Sequence, residues 1–162
     1  DEAAAIVACT RYPPAGRRGA AFGFAHDDYE DGDVAAKIAA IHARTLVIPQ
    51  IETAEGLANV EAIAAVPGVD ALWLGHFDLT NFMGIPGQFR HPDYLAGVRR
   101  IVAACEANGK TAAFLATDDA WAREYKGYGF RLFAYGLDQA LYSNALRHGL
   151  ELLRQPNEGP TP

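Results

Sequence analysis

Four short apolar runs, near residues 46–52, 70–75, 111–116 and 130–136, recur along the chain, and a segment of helical length follows each of them. Parallel strands must be joined by a crossover that carries the chain back to the same end, so a strand–helix repeat specifies a parallel sheet rather than a set of hairpins. The runs are rich in Leu, Val, Ile, Ala and aromatic residues with little polar alternation, which suits strands covered on both faces. The fold class is therefore α/β. Sheets of this kind bind ligands beyond the carboxyl ends of their strands, so polar residues placed there are the first candidates for function.

Two acids stand at that position. Glu52 closes the run Leu46–Glu52, and Asp78 follows the run Ala71–Phe77. Two carboxylates arriving from neighbouring strands suit a hard divalent cation such as Mg²⁺ or Mn²⁺, which takes oxygen ligands and keeps positions open for water and substrate. The competing reading is a cap: an acid after a strand can simply accept amides in the first turn of the next helix. Gln50 lies two residues before Glu52, so strand alternation puts both polar side chains on the face that carries Leu46 and Ile48. Pro49 lacks a ladder donor, which requires an irregular strand or a skipped pairing there.

Between these runs the punctuation is regular. Residues 1–10 read as the tail of a helix, and 11–32 as a loop dense in Gly, Pro, Arg and Asp that exposes Tyr12, Phe22, Phe24 and Tyr29 beside His26, Asp27 and Asp28. A loop of that length points to function or an interface, with His26 read as a surface histidine. Helices are expected at 33–43, at 54–66 ending on Pro67-Gly68, at 93–107 closed by Asn108-Gly109, at 118–128 stopped by Gly129, and at 138–153. The segment 81–92 leaves the presumed site end as a wall or lid. Asn108-Gly109-Lys110-Thr111 is not a phosphate loop, because its Lys stands before a strand rather than at a helix start. Ser143 lies within a helix and is no nucleophile candidate.

A net charge of −6 argues against a nucleic-acid partner. No apolar stretch approaches a membrane span. Cys9 and Cys105 fall in Ala-rich helical segments and read as buried free thiols, which suits a cytoplasmic location. Residues 155–162 hold too few apolar side chains to pack and are expected to be disordered.

The segments Ile48–Gly56 and Gly68–Leu79 resemble the metal-site half of the HpcH/HpaI aldolases, class II pyruvate aldolases related to the citrate lyase β subunit. Arg11–Gly19, Gly109–Thr117 and Phe133–Asp138 resemble further family segments in the same order. The resemblance implies a (β/α)8 TIM barrel of the phosphoenolpyruvate/pyruvate type. Such barrels need about 250 residues against 162 in this chain, so residues 1–154 are expected to supply only the last four β/α units plus a preceding helix. The chain opens on Asp1 with a helix already under way, which leads to the expectation that it is the C-terminal part of a longer protein.

The implied activity is divalent-metal-dependent cleavage or formation of 4-hydroxy-2-oxo acids through a pyruvate or hydroxypyruvate enolate. By resemblance Glu52 and Asp78 hold Mg²⁺ or Mn²⁺, with Co²⁺ as a third candidate. The backbone amides around Phe77 and Asp78 receive the pyruvate carboxylate, and Gln50 is a further contact. Leu115 lines the pyruvate methyl pocket or is plain core. The family's base histidine and substrate arginine come from the first half of the barrel, so the catalytic residues are unknown here and the chain alone is expected to turn over little or nothing. Partners are a small 2-oxo acid and an aldehyde, with neither nucleic acid nor membrane. The expected assembly is a homo-oligomer, hexameric by resemblance, with the last helix exchanged and the 11–32 region against a neighbour. His76 departs from the family, many of whose members carry Pro there, and the roles of His26 and His76 stay open. Two other readings remain: a citrate-lyase-like or malyl-CoA-lyase-like enzyme acting on acyl-CoA, and an incomplete, non-catalytic metal-binding fragment.

Overall fold

The computed structural model describes residues 1–155. Its elements run α1 (Glu2–Thr10), a 3₁₀ turn (Ala25–Asp27), α2 (Val34–Arg44), β1 (Gln50–Ile51), α3 (Ala54–Ala58), α4 (Val60–Ala64), β2 (Ala71–Leu74), α5 (His76–Phe82), α6 (Pro92–Ala107), β3 (Thr111–Ala116), α7 (Asp119–Tyr128), β4 (Leu132–Tyr135) and α8 (Asp138–Arg154). All three strand pairings are parallel, in the order β1-β2-β3-β4. Each of the four apolar runs supplies one strand, and the result is a set of consecutive β/α units of the barrel type.

The first run yields a strand of only two residues where 46–52 was expected. Pro49 supplies an acceptor but no donor, and the ladder slips around it. Asp70 N donates to Val47 O (2.9 Å), Trp73 N to Pro49 O (2.8 Å) and Gly75 N to Ile51 O (3.0 Å). Two residues on the first strand thus face three on its neighbour before the regular two-residue step resumes, the count of a bulge. The Asp70 carboxylate accepts the Val47 amide at 2.7 Å and closes the gap that the slip leaves.

Core packing follows from alternation. Ile51, Leu72, Leu74 and Phe114 point to the helix side and are at most 1% exposed. Against them α6 lays Tyr94, Val98, Ile101, Val102 and Cys105, a spacing of 4, 3, 1 and 3 that keeps one stripe of the helix inward. Gly97 lets α3 come close, since a Cβ there would stand 2.9 Å from Leu57 Cδ2. The helix expected at 54–66 is two short ones, broken at Asn59. Both its backbone amide (3.1 Å) and its side-chain amide (2.9 Å) bond to Glu55 O, the local competition by which Asn interrupts helices.

The 11–32 segment is folded onto α2. Tyr12, expected to be exposed, is buried, with its ring stacked on His42 (5.7 Å between centroids) and tilted on Phe22 (5.6 Å). Its amide donates to His42 Nε2 at 2.8 Å, which makes that nitrogen an acceptor. Asp27 accepts from the amides of Gly23 and Phe24 (both 2.8 Å) and from Lys37 Nζ (2.9 Å). The Gly23 amide, followed by Lys37, holds its carboxyl well down, at about 2. Phe24 and Tyr29 are exposed as the sequence predicts. Cys9, expected to be buried, is exposed because α1 buries only Ala3; Cys105 is buried. Among the described residues no helix is long and apolar enough to cross a membrane. From residue 156 onward, the closing segment expected to be disordered lies outside the described residues.

Candidate active site

Gln50 pairs with Trp73, Trp73 with Ala113, and Ala113 with Leu132 across the sheet. This row faces away from the helices, since the residues that alternate with it, Ile51, Leu74 and Phe114, belong to the core. Glu52 and Leu115, two residues further on along their strands, share that face. Sequence alternation puts Gln50 and Glu52 on one face, as they are here; Leu115, named by resemblance, lies on the same face. Leu115 is half-buried and lies outside the core cluster.

Gln50 Nε2 donates to Glu52 Oε2, so the amide orients the carboxylate. Glu52 does not cap the helix that follows: Thr53 does, through its Oγ1, which accepts the Gly56 amide at 2.9 Å. For Glu52 the capping reading is thereby set aside. Asp78 stands in the first turn of α5, where the helix dipole favours a carboxylate, and its side chain is exposed. Leu79 N is the first α5 amide to bond back into the helix, to Gly75 O at 2.9 Å. The amides of His76, Phe77 and Asp78 precede it and head the helix at this strand end.

Gly75 joins the two strand ends, a role that sequence reasoning did not assign. A Cβ there would lie 2.6 Å from Glu52 Cβ, 2.8 Å from Gln50 Nε2 and 3.1 Å from Glu52 Oε2. Only glycine leaves room for both side chains. The available signal was a glycine closing a run of bulky residues, one position before the connection that carries Asp78.

The segment after Asp78 differs from the expected loop. It begins as helix α5, and the remainder is anchored as a wall: Thr80 O accepts the Ile85 amide (2.9 Å) and Thr80 Oγ1 the Gly87 amide (3.1 Å). Arg90 clamps Glu124 on α7 through both terminal nitrogens. Phe89 packs between the rings of Tyr94 (5.7 Å) and Trp121 (5.0 Å). Behind it Phe114 stacks on Tyr125, 3.6 Å apart and 4° from parallel.

His76 is 7% exposed and sits among Phe77, Phe89, Phe114 and Trp121, at 4.6, 5.6, 5.0 and 5.0 Å. Burial lowers its pKa from the ordinary 6.5, against the opposing influence of the Asp78 charge and the Leu74 backbone. His26 is half-buried rather than a free surface residue; its carbonyl accepts from Arg44.

Among the described residues no three His, Cys, Asp or Glu side chains form a closed metal cage. Two carboxylates and a neutral amide, were they to converge on one ion, would suit a hexacoordinate cation that retains water and substrate oxygens. The polar side chains at this strand end offer oxygen donors, the chemistry of hard rather than thiophilic cations.

A parallel β/α sheet with Glu52 just past the end of β1 and Asp78 in the first turn of α5, after β2, defines an α/β barrel-type protein with acidic residues at the carboxyl ends of its strands. The chain belongs to the HpcH/HpaI aldolase/citrate lyase family, whose profile matches residues 1–145. It is 41% identical over 145 residues to a hydroxypyruvate/pyruvate aldolase of Chromohalobacter salexigens, covering 90% of this chain and 57% of that protein. A 5-keto-4-deoxy-D-glucarate aldolase of Shigella dysenteriae is 37% identical over 145 residues, 90% of this chain and 56% of the relative. Among solved structures, an HpcH/HpaI aldolase/citrate lyase family protein from Burkholderia cenocepacia superposes with a TM-score of 0.80 at 36% identity, covering 96% of this chain and 61% of that one. The chain thus spans somewhat more than half the length of the proteins it matches.

Proposed function

We propose that this chain provides the metal- and 2-oxo-acid-holding part of a class II aldolase that makes or breaks 4-hydroxy-2-oxo acids. The observation that carries the reading is the Gln50–Glu52–Gly75 arrangement: a carboxylate freed from capping, oriented by an amide, and given space by the one residue without a Cβ. Glu52 and Asp78 would hold Mg²⁺ or Mn²⁺, which supplies Lewis-acid polarisation of a bound 2-oxo acid. The Phe77 and Asp78 amides receive the substrate carboxylate, a backbone cradle that requires no cationic side chain. Leu115 lines the space beside the substrate's C3. The base comes from the first half of the barrel, as the family resemblance implies. The relatives' names support hydroxypyruvate or pyruvate as the nucleophile, with a small aldehyde as acceptor. The protein acts in the cytoplasm as a homo-oligomer.

The test is deuterium exchange into the methyl group of pyruvate, followed by NMR with Mg²⁺ or Mn²⁺, on the protein expressed from its native reading frame. Metal-dependent exchange that disappears in Asp78→Asn and in Glu52→Gln is expected. Exchange that survives both substitutions, or a wild type that shows none, would overturn the proposal.

A further inference from the structure

His76 is the largest polar side chain buried at the site end of the sheet, and the chemistry proposed above leaves it without a task. It lies between Gly75, which makes room for Glu52, and the Phe77-Asp78 pair, so a shift of its Cα would carry Phe77 and Asp78 with it. Its Nε2 is buried without a hydrogen-bond partner, an arrangement that ordinarily selects against a polar residue. In place of a partner, four aromatic rings surround the imidazole. The four rings come from four separate pieces of the fold: Phe77 from α5, Phe89 from the wall, Phe114 from β3 and Trp121 from α7. Phe114 and Trp121 are themselves stacked, 3° from parallel, which ties the β3 and α7 walls of the box together.

We infer that His76 is a positioning residue: wedged in this aromatic box, its ring fixes the start of α5 and thereby the place of the Asp78 carboxylate and of the Phe77 and Asp78 amides. The inference rests on the proposed metal role of Asp78 and deepens it. The wedge acts through the shape of the ring, without a proton transfer, and the imidazole does not replace the base that the barrel's other half supplies. Groups that orient a metal ligand from behind typically alter metal affinity by 10–100-fold when removed; His76 would act on Asp78 in that way, through two residues of backbone.

The experiment titrates Mn²⁺ by electron paramagnetic resonance into the natively expressed protein and four variants. His76→Ala empties the box, His76→Phe refills it with a ring that lacks nitrogens, Ile101→Ala makes a comparable hole elsewhere in the same core, and Asp78→Asn removes the ligand. Far-UV circular dichroism establishes that each variant is folded. His76→Ala should weaken Mn²⁺ binding about tenfold or more, His76→Phe should restore it to within about threefold, and Ile101→Ala should leave it at the wild-type value. Wild-type affinity in His76→Ala, or equal losses in Ile101→Ala, would overturn the positioning role. A loss in His76→Phe as large as in His76→Ala would overturn the wedge by assigning the effect to a ring nitrogen. Should Asp78→Asn bind as tightly as wild type, the metal reading itself falls and this inference with it; a loss confined to Asp78→Asn sinks the inference alone.

Discussion

At Gly75 one absent carbon decides whether two strand ends can keep their side chains. Gly75→Ala would place a methyl 2.6 Å from Glu52 Cβ, and because the obstacle is the root of a side chain, rotation cannot relieve it. The expected cost is about 1–3 kcal/mol of overpacking strain, read by urea unfolding, together with a loss of Mn²⁺ affinity; an alanine variant with wild-type affinity would show that Glu52 tolerates the shift. Asp27 gives a pH test. Its folded value lies below the ordinary 3.8, at about 2, so the unfolded chain takes up the proton first. The stabilisation is complete above pH about 4 and is lost as the pH falls towards 2. Urea midpoints taken across that window should fall less in Asp27→Asn than in the wild type, and parallel falls would refute the assignment. Legibility at this scale was uneven. Glu52 and Asp78 announced themselves by position after apolar runs, whereas the burial of His76 and Tyr12 depends on rings contributed from elsewhere in the chain, which no local pattern reports.

Elements were legible where they are long and periodic. The runs at 111–116 and 130–136 and the stripe of α6 match the structure closely, because burial on a fixed face repeats in the sequence. What escaped was local competition: Pro49 and its slipped ladder cut the first strand to two residues, and Asn59 divides α3 from α4. The stack that joins β3 to α7 is the element pair with most at stake. Phe114 is fully buried against Tyr125 and Phe130, and its truncation to Ala should cost about 3–5 kcal/mol, measured by chemical denaturation. A cost below about 1 kcal/mol would mean that the surrounding rings collapse into the hole. The two cysteines report the same layering. Burial pushes the Cys105 thiol up to about 11, whereas Cys9 is exposed on α1. A thiol reagent at neutral pH should therefore label one group in the native state and the second only on unfolding. Rapid labelling of both would place α6 outside the core.

For the whole molecule the question is what covers the surfaces that this sheet and its last helix leave open. Trp73, Leu115 and Leu132 on the inner face are only half-buried, and α8 buries no residue at all. Leu141, Leu146, Leu150 and Leu153 are 45%, 51%, 50% and 81% exposed. Full burial of a leucine contributes roughly 1.5–3 kcal/mol, and with about half of that surface already covered the four together have roughly 3–6 kcal/mol left to gain. Association costs at least about 4 kcal/mol in lost translational and rotational freedom, so α8 by itself sits near break-even and stable assembly needs further contact surface. The exposed Phe24 and Tyr29 of the 11–32 segment offer such surface. On this argument Leu150→Glu, which sets a charge in the middle of the stripe, should shift the sedimentation-velocity distribution towards smaller species, and Tyr29→Ser should do so to a lesser degree. If both variants sediment as the wild type does, neither α8 nor the 11–32 segment carries an association between copies, and the inner face of the sheet becomes the surface to test.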